Sequence, residues 1–304
     1  MAKKAFLFPG QGSQYVGMAK DLFDNSVEAK EMIRTADEAV GANLSYIMFN
    51  GPEEELKQTE YTQPAIFLHS VVLASLIRTL RPNAAAGHSL GEYSALVAAG
   101  AIQFYEAVKL VRQRGLAMQY AGTVMQGTMA AVVGLQPEVV ENLCKEASAV
   151  GIVQCANFNS PGQIVISGSV DGVKKAMELC KANGAKLVKE LVVSGAFHSP
   201  LMEPAKERLQ KALDETNFYN ARFPVYANVT AKPVSEKEEI KKLLFDQLTS
   251  PVRWEETIKN MIDDGIEEFY EIGPGKVLQG LVKRINPDVK VYGIDKYEDV
   301  YQYI

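Results

Sequence analysis

Apolar and polar positions follow two rhythms along this chain. KKAFLF, residues 3 to 8, is a short apolar run closed by PGQG, which predicts a strand ending in a loop. NSVEAKEMIRTADEAVG after it has helical period and a glycine stop. Thr62 and Pro64 signal the start of a long apolar helix running through Leu80. Arg81-Pro82 ends it, and the short strand NAAAG leads into a turn at Ser89 followed by another helical pattern. A further helix is expected from Phe104 to Met118. Between about 124 and 193 the rhythm becomes a strand in MAAVVG, a helix from Pro137 to Ala149, strands in IVQCANF and QIVIS, a helix from Asp171 to Asn183, and a strand in KLVKELVV. That βαββαβ order is ferredoxin-like and reads as a small inserted domain. The remainder resumes an α/β pattern: a strand in RFPVYANV, helices near 236–248 and 252–264, a strand in IEEFYEI, the turn GPG, a helix to Ile285 and a last strand in VKVYGI.

Composition narrows the partners. With 47% hydrophobic residues over 304 positions, the chain has ample material for a packed core. A net charge of −5 without a sustained Lys/Arg cluster argues against a nucleic-acid footprint or a membrane-surface patch. The N-terminal apolar run is too short for a signal-peptide core and no stretch has the length of a membrane span, so a cytoplasmic protein is expected. Cys144, Cys155 and Cys180 have no C-x-x-C spacing, and His69, His88 and His198 lie far apart. Free thiols and no metal site are expected.

GHSLG, residues 87 to 91, sets Ser89 between glycines on a strand-turn-helix, the layout of a nucleophile elbow. A serine nucleophile needs a base. His88 is adjacent on the turn and points elsewhere; His69 sits mid-helix among apolar residues. His198, in SGAFHSPLM after the last strand of the inserted domain, is on a loop where a base can be held yet open to substrate, although position alone leaves a structural histidine equally open. The only aspartate between Ser89 and His198 is Asp171, which reads as helix-start chemistry. A Ser-His dyad oriented by a carbonyl therefore fits better than an esterase triad. FPGQGSQ lacks the third glycine of a dinucleotide loop, since Tyr15 stands in its place. Its backbone N–H groups suit either a tight structural turn or an oxyanion. Arg114 falls in the middle of the stripe formed by Ala107, Leu110, Val111, Ala117 and Met118. A guanidinium turned inward requires a partner, either a protein carboxylate or an acidic substrate.

Ordered motifs from end to end resemble the malonyl-CoA:acyl carrier protein transacylases of dissociated bacterial fatty-acid synthesis: FPGQGSQ, YTQPA, GHSLGEYSAL, QRG, NFNSPGQIVISG, FHSPLM, QLTSPVRW and EIGPGKVL. The resemblance implies an α/β fold, with an α/β-hydrolase-like large subdomain at 1–122 and 195–304 and an inserted ferredoxin-like small subdomain at 123–194. It implies transfer of malonyl from malonyl-CoA to the phosphopantetheine thiol of acyl carrier protein, without cofactor or metal. Ser89 would be the acylated nucleophile, His198 its base, and Gln247 the carbonyl that orients the imidazole. Gln11 and Leu90 would supply the oxyanion N–H groups. Arg114 would hold the malonyl carboxylate, with Met118 and Phe197 lining the pocket, Phe197 in the pattern of malonyl-selecting members. The alternatives are a serine thioesterase or esterase, which has no use for an inward arginine, and a non-catalytic carrier-protein-binding module, which forms no acyl-serine.

Overall fold

The computed structural model describes residues 2–41 and 43–304. Two sheets organise it. The larger has the order β10-β9-β1-β2-β7-β8, from β1 (Lys3–Phe8), β2 (Ala84–Gly87), β7 (Val225–Tyr226), β8 (Pro233–Val234), β9 (Ile266–Ile272) and β10 (Lys290–Ile294). Its strands are parallel except for β8 at the edge. Helices cover both faces, so β1 reads AFLF without alternation: Phe6 and Phe8 join one core cluster, Ala5 and Leu7 the other. The smaller sheet is antiparallel, order β4-β5-β3-β6, from β3 (Thr128–Val133), β4 (Val153–Ser160), β5 (Gln163–Gly168) and β6 (Leu187–Glu190). Helices Pro137–Ala147 and Val170–Ala182 pack with it around a separate core that contains all three free cysteines. The fold class is the α/β architecture expected from the motifs.

Strand register sets the site. Phe8 pairs with Gly87 and Tyr226 with Ala86, so β1, β2 and β7 end side by side. Their outgoing loops carry Gln11, Ser89 and Asn228 to one edge of the sheet, the carboxyl end where open α/β sheets form their crevices.

Two elements differ from expectation for identifiable reasons. The apolar helix spans Thr59–Leu76, so Pro64 lies inside it rather than near its start. Proline removes the bond to the carbonyl four residues back. That carbonyl, of Glu60, instead accepts from Arg112 Nη1 at 2.5 Å, and Arg112 Nη2 pairs with the Glu60 carboxylate at 3.0 Å. Arg112 is thus drawn off the solvated face. In RFPVYANV only Val225–Tyr226 pair as strand. Beyond them the chain leaves the sheet to bring Asn228 beneath Ser89.

Candidate active site

The elbow is built by close packing. An added Cβ on Gly87 would lie 1.8 Å from the Gly91 carbonyl carbon, and one on Gly91 would lie 2.0 Å from Phe8 O. Only glycine allows strand, turn and helix Gly91–Ala98 to pass so close. Ser89 itself sits at φ 51°, a left-handed conformation costly for a side-chain-bearing residue. Asn228 holds it there: its Oδ1 accepts from Ser89 N at 2.7 Å, and its Nδ2 donates to Gly87 O at 2.7 Å.

His198 arrives on the loop that follows β6, also at positive φ, 56°. Its Nε2 lies 2.8 Å from Ser89 Oγ, and its Nδ1 donates to the backbone carbonyl of Gln247 at 3.0 Å. The second contact fixes the tautomer that leaves Nε2 free to accept a proton. Burial, reinforced by the charge of Arg114, lowers the imidazolium to about 3, so the ring is neutral. His88 turns away to Asn159 Oδ1, at 2.8 Å, and packs on Trp254. His69 is wholly buried against Asp295, whose carbonyl lies 2.7 Å from Nε2.

Arg114, on helix Phe104–Val124, is 1% exposed. Its Nη1 donates to Gln63 Oε1 at 2.7 Å; its Nη2 donates to Gln247 Oε1 at 3.0 Å and Ser89 Oγ at 3.2 Å. The Tyr93 ring lies under the guanidinium, 5.2 Å from its carbon. The arginines that form ion pairs among the described residues are Arg78, Arg112 and Arg253. Arg114 has neutral acceptors only.

Gln11, Ser89, Leu90, Met118, Phe197 and His198 all line one cleft of about 310 Å³ between the two sheets. Leu191, Val193 and Leu281 give it apolar walls. Among the described residues, the backbone N–H groups of Gln11 and Leu90 donate to no protein acceptor. A larger hollow of about 760 Å³, by Arg78, Phe104 and Arg222, contains none of these groups.

Four residues at the site escaped the sequence reading. Gln63 holds Arg114 from one side and donates to Met118 Sδ at 3.1 Å from the other. Asn159 restrains His88, and Asn228 restrains the elbow. Glu92, 2% exposed on the first turn of the elbow helix, accepts from Asn228 N at 2.9 Å and Gln247 Nε2 at 2.8 Å. Each is a polar residue without special local spacing, given meaning only by partners far along the chain.

The chain is similar to known proteins over nearly its whole length. The acyl transferase domain family matches residues 5–294. The malonyl CoA-acyl carrier protein transacylase of Bacillus subtilis is 47% identical over 303 residues, 99% of this chain and 96% of that one. The structure of the malonyl CoA-acyl carrier protein transacylase of Coxiella burnetii superposes with a TM-score of 0.96 at 40% identity, covering 99% of this chain and 96% of the other. That of the malonyl-transacylase PlMCAT, in complex with the type II PKS acyl-carrier protein AntF, gives 0.95 at 40% identity, with 99% of each chain covered.

Proposed function

Because the chain belongs to the acyl transferase family, and within it to the malonyl CoA-acyl carrier protein transacylases, we infer that Ser89 is the residue that carries the malonyl group. The protein is an acyl carrier protein S-malonyltransferase of fatty-acid synthesis; it moves malonyl from malonyl-CoA to acyl carrier protein.

In this reading His198 Nε2 removes the Ser89 proton as Oγ attacks the thioester carbonyl. The N–H groups of Gln11 and Leu90 receive the oxyanion. Collapse of the tetrahedral adduct breaks the C–S bond, and the proton held on His198 passes to the departing coenzyme A sulfur. The carrier's phosphopantetheine thiol then gives its proton to His198, attacks the malonyl ester, and returns Ser89 to its hydroxyl form. No net proton is consumed. The Gln247 carbonyl stabilises each transient imidazolium through Nδ1–H.

The observation that carries the malonyl assignment is Arg114, a buried cation beside the nucleophile with no carboxylate partner among the described residues. One methylene separates the malonyl carboxylate from its thioester carbonyl, so a group that holds the first must lie close to the group that attacks the second. Arg114 Nη2, 3.2 Å from Ser89 Oγ, meets that requirement. Met118 and Phe197 shape the apolar side of the pocket. The catalytic part, 1–122 and 195–304, the small part, 123–194, and a cytoplasmic location belong to the same proposal. No helix among the described residues is long and apolar enough to cross a membrane. Intact mass after mixing with malonyl-CoA tests the reading: one malonyl adduct mapping to Ser89 is expected, and an adduct elsewhere, or none, contradicts it.

A further inference from the structure

Glu92 and Arg114 are buried opposite charges that do not touch. One side chain joins them. The Gln247 amide donates from Nε2 to Glu92 Oε2 at 2.8 Å and accepts on Oε1 from Arg114 Nη2 at 3.0 Å. An ionised carboxylate can only accept, so Glu92 dictates which end of that amide faces which way. The amide nitrogen also reaches Ser89 O at 3.1 Å, which ties the same residue to the elbow. A buried carboxylate spaced one amide away from a buried guanidinium is the nearest thing Arg114 has to a counter-charge.

We propose that Glu92 is a positioning residue of the malonyl site: it is the internal counter-charge of Arg114, acting through Gln247, and it takes up one solvent proton when the malonyl carboxylate occupies Arg114. The inference rests on the reading of Arg114 as the malonyl clamp. Two carboxylates sharing one buried cation disfavour each other's ionisation, and the one already without direct contact is the one to protonate. Burial holds the Glu92 carboxyl up at about 7, with the Asn228 N–H, the Gln247 amide and the charge of Arg114 pulling it down. Engagement of Arg114 by substrate weakens that last pull and raises Glu92 further. The other titratable groups nearby stay uncharged: His198, whose ring touches the opposite end of Gln247, is neutral, and burial pushes the Tyr93 phenol up to about 12.

Acyl transfer to Ser89 is itself proton-neutral, because the serine hydrogen ends on the released thiol. Any difference between malonyl and acetyl therefore belongs to the acyl group's carboxylate, which acetyl lacks; thiol ionisation cancels between the two. Proton uptake is read with an indicator dye in weak buffer near pH 7.5 as wild-type acyl-enzyme forms from malonyl-CoA or acetyl-CoA. Malonylation takes up at most about three-quarters of a proton more per Ser89 acylated at this pH, because a carboxyl held at about 7 is already partly protonated in the free enzyme. By linkage, the malonyl-to-acetyl ratio of kcat/KM falls as pH rises from 6 to 9, by up to about tenfold per unit where coupling is full. Glu92→Gln flattens that profile. Equal proton counts for the two substrates, with a flat wild-type ratio, would overturn the inference even if Glu92→Gln failed to fold. Arg114→Ala separates the two readings: malonyl preference that survives it defeats the clamp, whereas lost preference with equal wild-type proton counts defeats only the role of Glu92.

Discussion

Ser89 Oγ and His198 Nε2 lie 2.8 Å apart, and both residues hold left-handed backbone, at φ 51° and 56°. Such conformations cost on the order of 1–3 kcal/mol each and persist where surrounding structure over-determines them. Here the elbow glycines and Asn228 fix one, and the Gln247 carbonyl anchors the side chain of the other.

Ser89→Ala abolishes the malonyl adduct and leaves the unfolding midpoint near that of wild type, since the hydroxyl lies in the cleft and not in the core. His198→Ala lowers transfer by about 10² to 10⁴, the usual scale for a lost general base. His69→Ala, which removes a ring buried against Asp295, lowers the midpoint while acyl-enzyme formation persists. Transfer rates and melting curves on the three variants check this, and a larger kinetic loss in the His69 variant would assign the base wrongly.

Asn228→Ala orphans the buried Ser89 N–H and the Gly87 carbonyl, each of which costs ~1–3 kcal/mol when left unpaired. A stability loss of about 2–6 kcal/mol is expected, together with slower acylation at saturating malonyl-CoA because Ser89 is no longer held in its turn. Denaturant unfolding with single-turnover kinetics measures both. Stability lost at an unchanged acylation rate would make Asn228 a fold residue alone.

The pH response has two opposing parts. Burial lowers His198 to about 3, far below its ordinary value of about 6.5. The unfolded chain therefore binds more protons between those values, and this contribution to stability is present above about 6.5 and lost as pH falls toward 3. His69, also lowered chiefly by burial, acts in the same direction. Glu92 is raised to about 7, so its folded form binds the extra proton; its contribution is present below its ordinary value of about 4.5 and lost as pH rises through 7. Glu92→Gln therefore gains in midpoint, relative to wild type, as pH is raised from 5 to 8. In the free enzyme, the acid limb of kcat/KM lies well below the ordinary histidine range. Melting curves across that span, with a pH–rate profile, check both signs; a midpoint difference that shrinks with rising pH would reverse the assignment for Glu92.

What the sequence made legible follows from where the information lies. The elbow shows because Gly87, Ser89 and Gly91 are local, and Arg114 because helical period carries a charge into an apolar stripe. The βαββαβ order shows because each element has its own period and turn residues. Gln247 orients His198 through a backbone carbonyl, which has no residue signature, so its role came from resemblance alone. Glu92 and Asn228 look like ordinary polar positions until strands β1, β2 and β7 end side by side. The helix begins before the boundary that Pro64 suggests, because the donor that compensates for the proline, Arg112, lies 52 positions from Glu60.

The central claim, that Arg114 is kept for the malonyl carboxylate, is tested most directly by kcat/KM for malonyl-CoA and acetyl-CoA, with the unfolding midpoint, on Arg114→Ala. Losing a charge-assisted contact of this kind costs about 2–5 kcal/mol, so malonyl transfer falls roughly 30-fold to several thousand-fold. Acetyl transfer falls little or rises, because acetyl leaves the wild-type guanidinium without a carboxylate. Arg114→Lys restores malonyl transfer only in part, since an ammonium lacks the planar fork. Parallel losses for both substrates with a lowered midpoint would contradict the account and make Arg114 a structural cation.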